Sequence, residues 1–174
     1  MTVRAATAAD LEGIMAIERR SFPADAWSTQ TMAAELASAH GRYLVDEVDG
    51  VIVGYGGVRA LQGSADADIQ TIAFDREHRG RGRGRALLRA LLDEAAARGA
   101  REVFLDVRAD NTPAFTLYRS EGFEEIGRRP HYYQPDDVDA IVMRRPLRPP
   151  VPASEAAGTT QAGRSAPAAK EARA

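Results

Sequence analysis

Between Ile72 and Arg85 the chain reads Ile-Ala-Phe-Asp-Arg-Glu-His-Arg-Gly-Arg-Gly-Arg-Gly-Arg, a β-forming run that passes through alternating glycines into a helix-forming stretch. Gly80, Gly82 and Gly84 let the backbone approach a ligand closely. The first amides of the following helix are donors without intrahelical partners and carry a partial positive charge. Together these features make a cradle for a pyrophosphate. Arg79, Arg81, Arg83 and Arg85 add guanidinium groups suited to charge-assisted contacts with phosphate oxygens.

Other readings use the same residues. An Arg-Gly repeat could be a disordered nucleic-acid-binding box, but a strongly amphipathic helix follows at once. A dinucleotide fingerprint would place Asp106, at the end of the next strand, on a ribose. Against it, Leu87 stands at the third-glycine position, where close helix packing wants no side chain. A plain turn explains the glycines and leaves the arginines without a purpose. Downstream, Asn111 and Tyr118 are seven residues apart and so share one helix face, from which both can address one ligand.

The elements needed to hold these groups alternate along the chain, as in an α/β domain. Thr7 caps a first helix reaching Phe22, with Asp10 placed for a capping box, and Ser28 caps a second reaching about His40. Tyr43 to Val48 and Val51 to Val58 flank Asp49-Gly50, a hairpin signal. Ile69 to Phe74 is a strand, Arg85 to Arg98 a helix closed by Gly99, and Glu102 to Val107 a strand. Asn111 caps a short helix with Pro113 in its first turn, ending at Gly122. Two last strands fall near Glu124 to Gly127 and Val138 to Met143.

Length and composition fit one globular domain over residues 1–147 of the 174, with 44% hydrophobic residues overall. From Arg148 onward the chain is mostly Pro, Ala, Gly, Ser and Thr, and is expected to be a disordered tail. The absence of cysteine excludes disulfides, thiolate metal sites and a cysteine nucleophile. With a formal charge of −2, of which the tail carries +2 and the remainder −4, the chain does not read as one that coats nucleic acid. It shows neither a basic-apolar leader nor an apolar run of membrane-crossing length, so a soluble, cytoplasmic protein is expected.

Arg79-x-x-Gly82-x-Gly84 resembles the coenzyme-A signature of the GNAT superfamily. Leu105-Asp106-Val107-Arg108-Ala109-Asp110-Asn111, Leu117-Tyr118-Arg119-Ser120-Glu121-Gly122-Phe123, Arg128-Arg129-Pro130-His131-Tyr132-Tyr133 and Asp139-Ala140-Ile141-Val142-Met143 are similar to the RimI-type ribosomal-protein-alanine N-acetyltransferases. The similarity runs from about Val3 to Leu147. It implies a GNAT fold, a mostly antiparallel, splayed sheet with helices on both faces. It also implies acetyl-coenzyme A as co-substrate without metal, and a single chain acting on the N-terminus of a protein, in that family a ribosomal protein beginning with alanine.

Carried over to this chain, the resemblance implies that Ile72, Ala73 and Phe74 line the acetyl and pantetheine arm. Gly80 to Arg85 would hold the pyrophosphate, with Arg79 and Asn111 beside it. Tyr118 takes the place of the general acid that protonates the leaving sulfur; a tyrosine bonded to backbone is the alternative. Asp106 stands where that family carries glutamate as general base, and its shorter arm implies action through a water.

An ordinary carboxylate near pKa 3.9 falls short of an ammonium near 7.7 to 8.0 by roughly 5 kcal/mol. Burial among Val103, Phe104, Leu105 and Val107 would narrow that gap, whereas an ion pair, for example with Arg108, would make Asp106 structural. Near pH 7 roughly a tenth of α-amines are neutral, against well under a thousandth of lysines, which suits the α-amine to a modest base. Trp27, Tyr132 and Tyr133 are read as loop aromatics that, in the resembled family, border the peptide groove, with ordinary packing as the alternative. Asp136, Asp137 and Asp139 read as solvated loop charge. A small amine or lysine as acceptor, or a coenzyme-binding sensor without turnover, remain open.

Overall fold

Asp49 and Gly50, with φ of 51° and 81°, turn β2 (Gly41–Val48) back into β3 (Val51–Arg59), the antiparallel hairpin the sequence signals. The structure is a computed structural model that describes residues 2–147, so the tail from Arg148 lies outside the described residues. A short β1 (Thr2–Ala5), which the sequence reading left out, pairs with β2. Four residues of mixed polarity carry too little alternation to be read as a strand.

α1 (Leu11–Ser21) follows a 3₁₀ turn whose Asp10 Oδ2 accepts from the Thr7 N–H at 2.7 Å, so the expected capping box is present. α2 (Thr29–Ala37) is capped by Ser28 and ends before His40, because Ser38 is extended. After β4 (Asp66–Phe74) come α3 (Arg83–Ala97), β5 (Glu102–Arg108), α4 (Thr112–Ser120), β6 (Glu124–Tyr133) and β7 (Val138–Pro146).

These strands form one mixed sheet in the order β1-β2-β3-β4-β5-β7-β6, antiparallel throughout except at β4–β5. The GNAT-type, splayed α+β architecture expected from the resemblance is the one observed. One apolar cluster joins α3 and α4 to Leu44, Ile69, Ile72, Phe74, Leu105 and Met143. A second joins α1 and α2 to Tyr43, Val45, Tyr55 and Ala73, so helices cover both faces.

β6 extends six residues beyond its expected end and holds Tyr132 and Tyr133, which the sequence reading put in a loop. Pro130 would break the ladder of a central strand, but β6 is an edge strand, where a missing N–H is tolerated. His131, at φ 55°, lies within an irregularity between Arg129 and Tyr133 that shifts the pairing to β7.

Candidate active site

Two irregularities in β4 and β5 open the site. Opposite Gly57 and Val58, β4 supplies Thr71 and Ile69, so Gln70 is an extra residue that bends the strand. The bulge also resets alternation: Ile69 and Ile72 both join the α3/α4 cluster, whereas Ala73 joins the α1/α2 cluster. The parallel β4–β5 ladder covers only Asp66–Asp68 against Glu102–Phe104. Beyond it the strands part.

A cavity of about 710 Å³ is lined by Phe74, Arg79, Gly80, Gly82, Gly84 and Arg85 on the α3 side, and by Arg108, Asp110, Asn111, Pro113 and Leu117 on the other. Gly80 and Gly82 hold φ of 71° and 76°, and Gly82 is the N-cap of α3, so the turn feeds the helix start as the sequence requires. Ile72 and Ala73 are fully buried in the two cores; Phe74 is the member of that trio on the cavity wall. Asn111 caps α4 by accepting from the Ala114 N–H at 3.2 Å while lining the same cavity.

The arginines do not act as a uniform set. Arg79 donates from Nε to the Phe74 carbonyl at 3.0 Å and ties the turn to the end of β4. Arg81 is exposed at the turn. Arg83 reaches away from it, with Nη1 2.8 Å from the fully buried Asp46 on β2. Arg85 donates to Ser120 and pairs with Glu121 on the α4 side, and an Arg89 hydrogen bond holds the Glu121 carboxyl below its ordinary range.

Asp106 is largely buried on β5, beyond the end of the β4–β5 ladder and opposite Val142 of β7. Alternation along β5 puts Asp106 and the cavity-lining Arg108 on one face. Arg129 Nε lies 3.8 Å from Asp106 Oδ2, and the same guanidinium sits over the Tyr132 ring at 5.5 Å. Burial, and then the charge of Asp106, push the Tyr132 phenol above its ordinary range. Arg108 lies over the Tyr133 ring at 5.4 Å and pairs with Asp110 and Asp136. The paired tyrosines and Asp106 therefore belong to one wall. Asp136 is engaged with Arg108, while Asp137 pairs with His131.

Tyr118 is fully buried on α4, one residue from cavity-lining Leu117, with Phe123 edge-on at 5.8 Å. Trp27 is half-buried and packs on the α1/α2 cluster. Arg108, Asp110 and Arg129 were not singled out as site residues from sequence. Arg108 could have been found, since it follows Asp106 by two positions in a strand. The Arg129–Asp106 approach could not, because it depends on β7 lying between β5 and β6.

The sequence model of the acetyltransferase (GNAT) family matches residues 11–123. The N-alpha-acetyltransferase RimI of Mycobacterium tuberculosis is 40% identical over 148 residues, covering 83% of this chain and 92% of its own. The ribosomal protein bS18-alanine N-acetyltransferase of Escherichia coli K12 is 33% identical over 150 residues, covering 84% of this chain and 97% of its own. A crystal structure of the ribosomal-protein-S18-alanine N-acetyltransferase from Escherichia coli superposes with a TM-score of 0.77 at 31% identity, over 88% of this chain and 98% of that one.

Proposed function

Because the chain belongs to the acetyltransferase (GNAT) family, we propose that it moves the acetyl group of acetyl-coenzyme A onto the N-terminal α-amine of a protein, with an alanine-starting ribosomal protein as the leading acceptor. The observation that carries this reading is the parting of β4 and β5, which leaves Asp106 beyond the shared ladder and a glycine turn on the cavity wall. The residues present suit a coenzyme. Gly80 and Gly82 leave open space where a Cβ would stand, α3 presents its N-terminus, and Arg79 and Arg85 supply positive charge.

Bound there, acetyl-coenzyme A supplies an activated acyl group on a thiolate leaving group. Asp106 takes a proton from the acceptor ammonium, directly or through a water, and the freed amine attacks the thioester carbonyl. The C–N bond forms as the C–S bond breaks; the Tyr118 hydroxyl delivers the proton that the leaving sulfur needs, and the proton shed by the new amide nitrogen restores that hydroxyl. Arg129 and Tyr132 flank Asp106 on the side from which a peptide N-terminus would come.

The test offers labelled acetyl-coenzyme A with peptides beginning Ala, Ser, Met or Glu, and with an N-terminally blocked peptide carrying an internal lysine. Label on the α-amine, lost in Asp106→Asn and Tyr118→Phe variants that still bind acetyl-coenzyme A, is the expected result. Label confined to lysine overturns the acceptor assignment, and binding without transfer marks a sensor.

A further inference from the structure

Glu18 interrupts the apolar face of α1. It lies one helical turn after Ile14 and next to Ile17, and like them it is fully buried. A carboxylate at such a position is costly unless it is well bonded. Its Oε1 accepts the Trp27 backbone N–H at 2.7 Å, and its Oε2 accepts the Tyr55 hydroxyl. The Glu18 main-chain carbonyl accepts the Phe22 N–H at 2.9 Å. One residue thus holds both ends of the Phe22–Trp27 connection between α1 and α2.

The other end of this tether is the site. Tyr55 is fully buried on β3 and pairs with Ala73, the neighbour of cavity-lining Phe74. Burial, and then the charge of Glu18, hold the Tyr55 phenol well above its ordinary range, which keeps it a hydroxyl donor. Arg20, from the next position but one on α1, pairs with Asp75 at the exit of β4 at 2.7 Å and supports the same alignment.

We propose that Glu18 is a positioning residue for acetyl transfer, whose buried carboxylate fixes the Trp27 connection against Tyr55 and so sets the α1–α2 side of the acceptor groove relative to the strand beside the acyl group. The inference rests on the function proposed above and on Trp27 bordering the groove that receives the acceptor, the place the family resemblance implies for it. Its chemistry is that of an anchor, made through its bonds to Trp27 and Tyr55.

Two variants of the full chain test it. Glu18→Gln keeps the volume but removes the charge: Oε1 can still accept the Trp27 N–H, while the Nε2 amide meets the Tyr55 hydroxyl as a donor, so the hydroxyl must turn to accept and both bonds lose their charge assistance. Tyr55→Phe keeps the carboxylate and removes one donor. The readouts are KM for an alanine-starting peptide, calorimetric affinity for acetyl-coenzyme A, thermal unfolding, and fluorescence of Trp27, the one tryptophan in the sequence.

Glu18→Gln is expected to raise the peptide KM roughly tenfold and red-shift Trp27 emission, with acetyl-coenzyme A affinity unchanged. Tyr55→Phe is expected to move both in the same direction by less. Lower thermal stability with unaltered peptide KM and unaltered emission in both variants overturns the inference. If Glu18→Gln fails to fold, Tyr55→Phe alone decides by the same two readouts. A wild-type protein that acetylates no α-amine overturns the proposed function, and Glu18's positioning role with it. That outcome is distinguishable from a failure of the tether, which leaves wild-type transfer intact and Trp27 emission unmoved by the substitution.

Discussion

Gly54 on β3 faces Phe74 on β4, and a methyl group added to Gly54 would overlap the edge of the Phe74 ring. The glycine is needed for space: Phe74 is buried between Gly54 and the cavity it lines. Gly56, two residues on, leaves room in the same way for Leu91. Gly54→Ala is expected to cost about 1–3 kcal/mol through overpacking. By pushing the ring toward the cavity it should also weaken acetyl-coenzyme A binding. Thermal unfolding and calorimetry check the two effects separately.

The approach of Arg129 to Asp106 and its place over the Tyr132 ring make the guanidinium part of the wall that carries Asp106. Arg129→Gln is expected to lower kcat/KM for the peptide by about tenfold, with Arg129→Lys restoring little, because an ammonium lacks the planar face that stacks. Asp106→Asn should cost about a hundredfold or more if it removes the base. Steady-state kinetics at fixed pH distinguish the three variants.

Arg83 and Asp46 form an ion pair with little solvent access, their side chains 14% and 0% exposed. Asp46→Ala leaves the guanidinium without its partner and should destabilise by about 3–5 kcal/mol, while Asp46→Leu with Arg83→Met should recover most of that loss. Urea unfolding of the single and double variants measures the difference. Retained acetyl-coenzyme A binding in the double variant would show that the Arg83 side chain is an anchor for α3 and makes no essential phosphate contact.

Hydrogen bonds from Arg4 hold the Asp10 carboxyl well below the usual carboxylate range, with further support from Thr7. In the unfolded chain the same carboxyl titrates near about 3.9. Between the folded and unfolded values the native state therefore binds fewer protons, so stability rises with pH across that window. The contribution is complete above the unfolded pKa and is lost as pH falls through the folded one. Asp10→Asn is expected to flatten this acid limb and to cost about 1–2 kcal/mol at neutral pH through the weakened cap. Denaturant titrations across acidic pH check both.

Local signals translated well where local chemistry decides the backbone. Asp49-Gly50, the Thr7/Asp10 box, Ser28 and Asn111 act as turn and caps where their types imply, because each interaction spans only a few residues. The glycine turn ahead of α3 is likewise written in the chain, since Gly80 and Gly82 take positive φ that other residues adopt at a cost. β1 and the far half of β6 were not legible. Both gain their strand character from pairing with a distant neighbour, and β6 tolerates Pro130 only because it is an edge.

What the sequence alone determined is the class of domain and a glycine turn, ahead of a helix, suited to phosphate, for these rest on periodicity, glycine conformation and motif. The tertiary structure decided which charges face the cavity and which are consumed elsewhere. Arg83 and Arg85 follow the same motif, yet one turns to Asp46 and the other toward Ser120 and Glu121. Glu18 sits beneath Trp27, and Arg129 beside Asp106, only because helices and strands far apart in the chain are packed together. Pairings of that kind are set by the sheet order and by burial, neither of which a local pattern of residues contains.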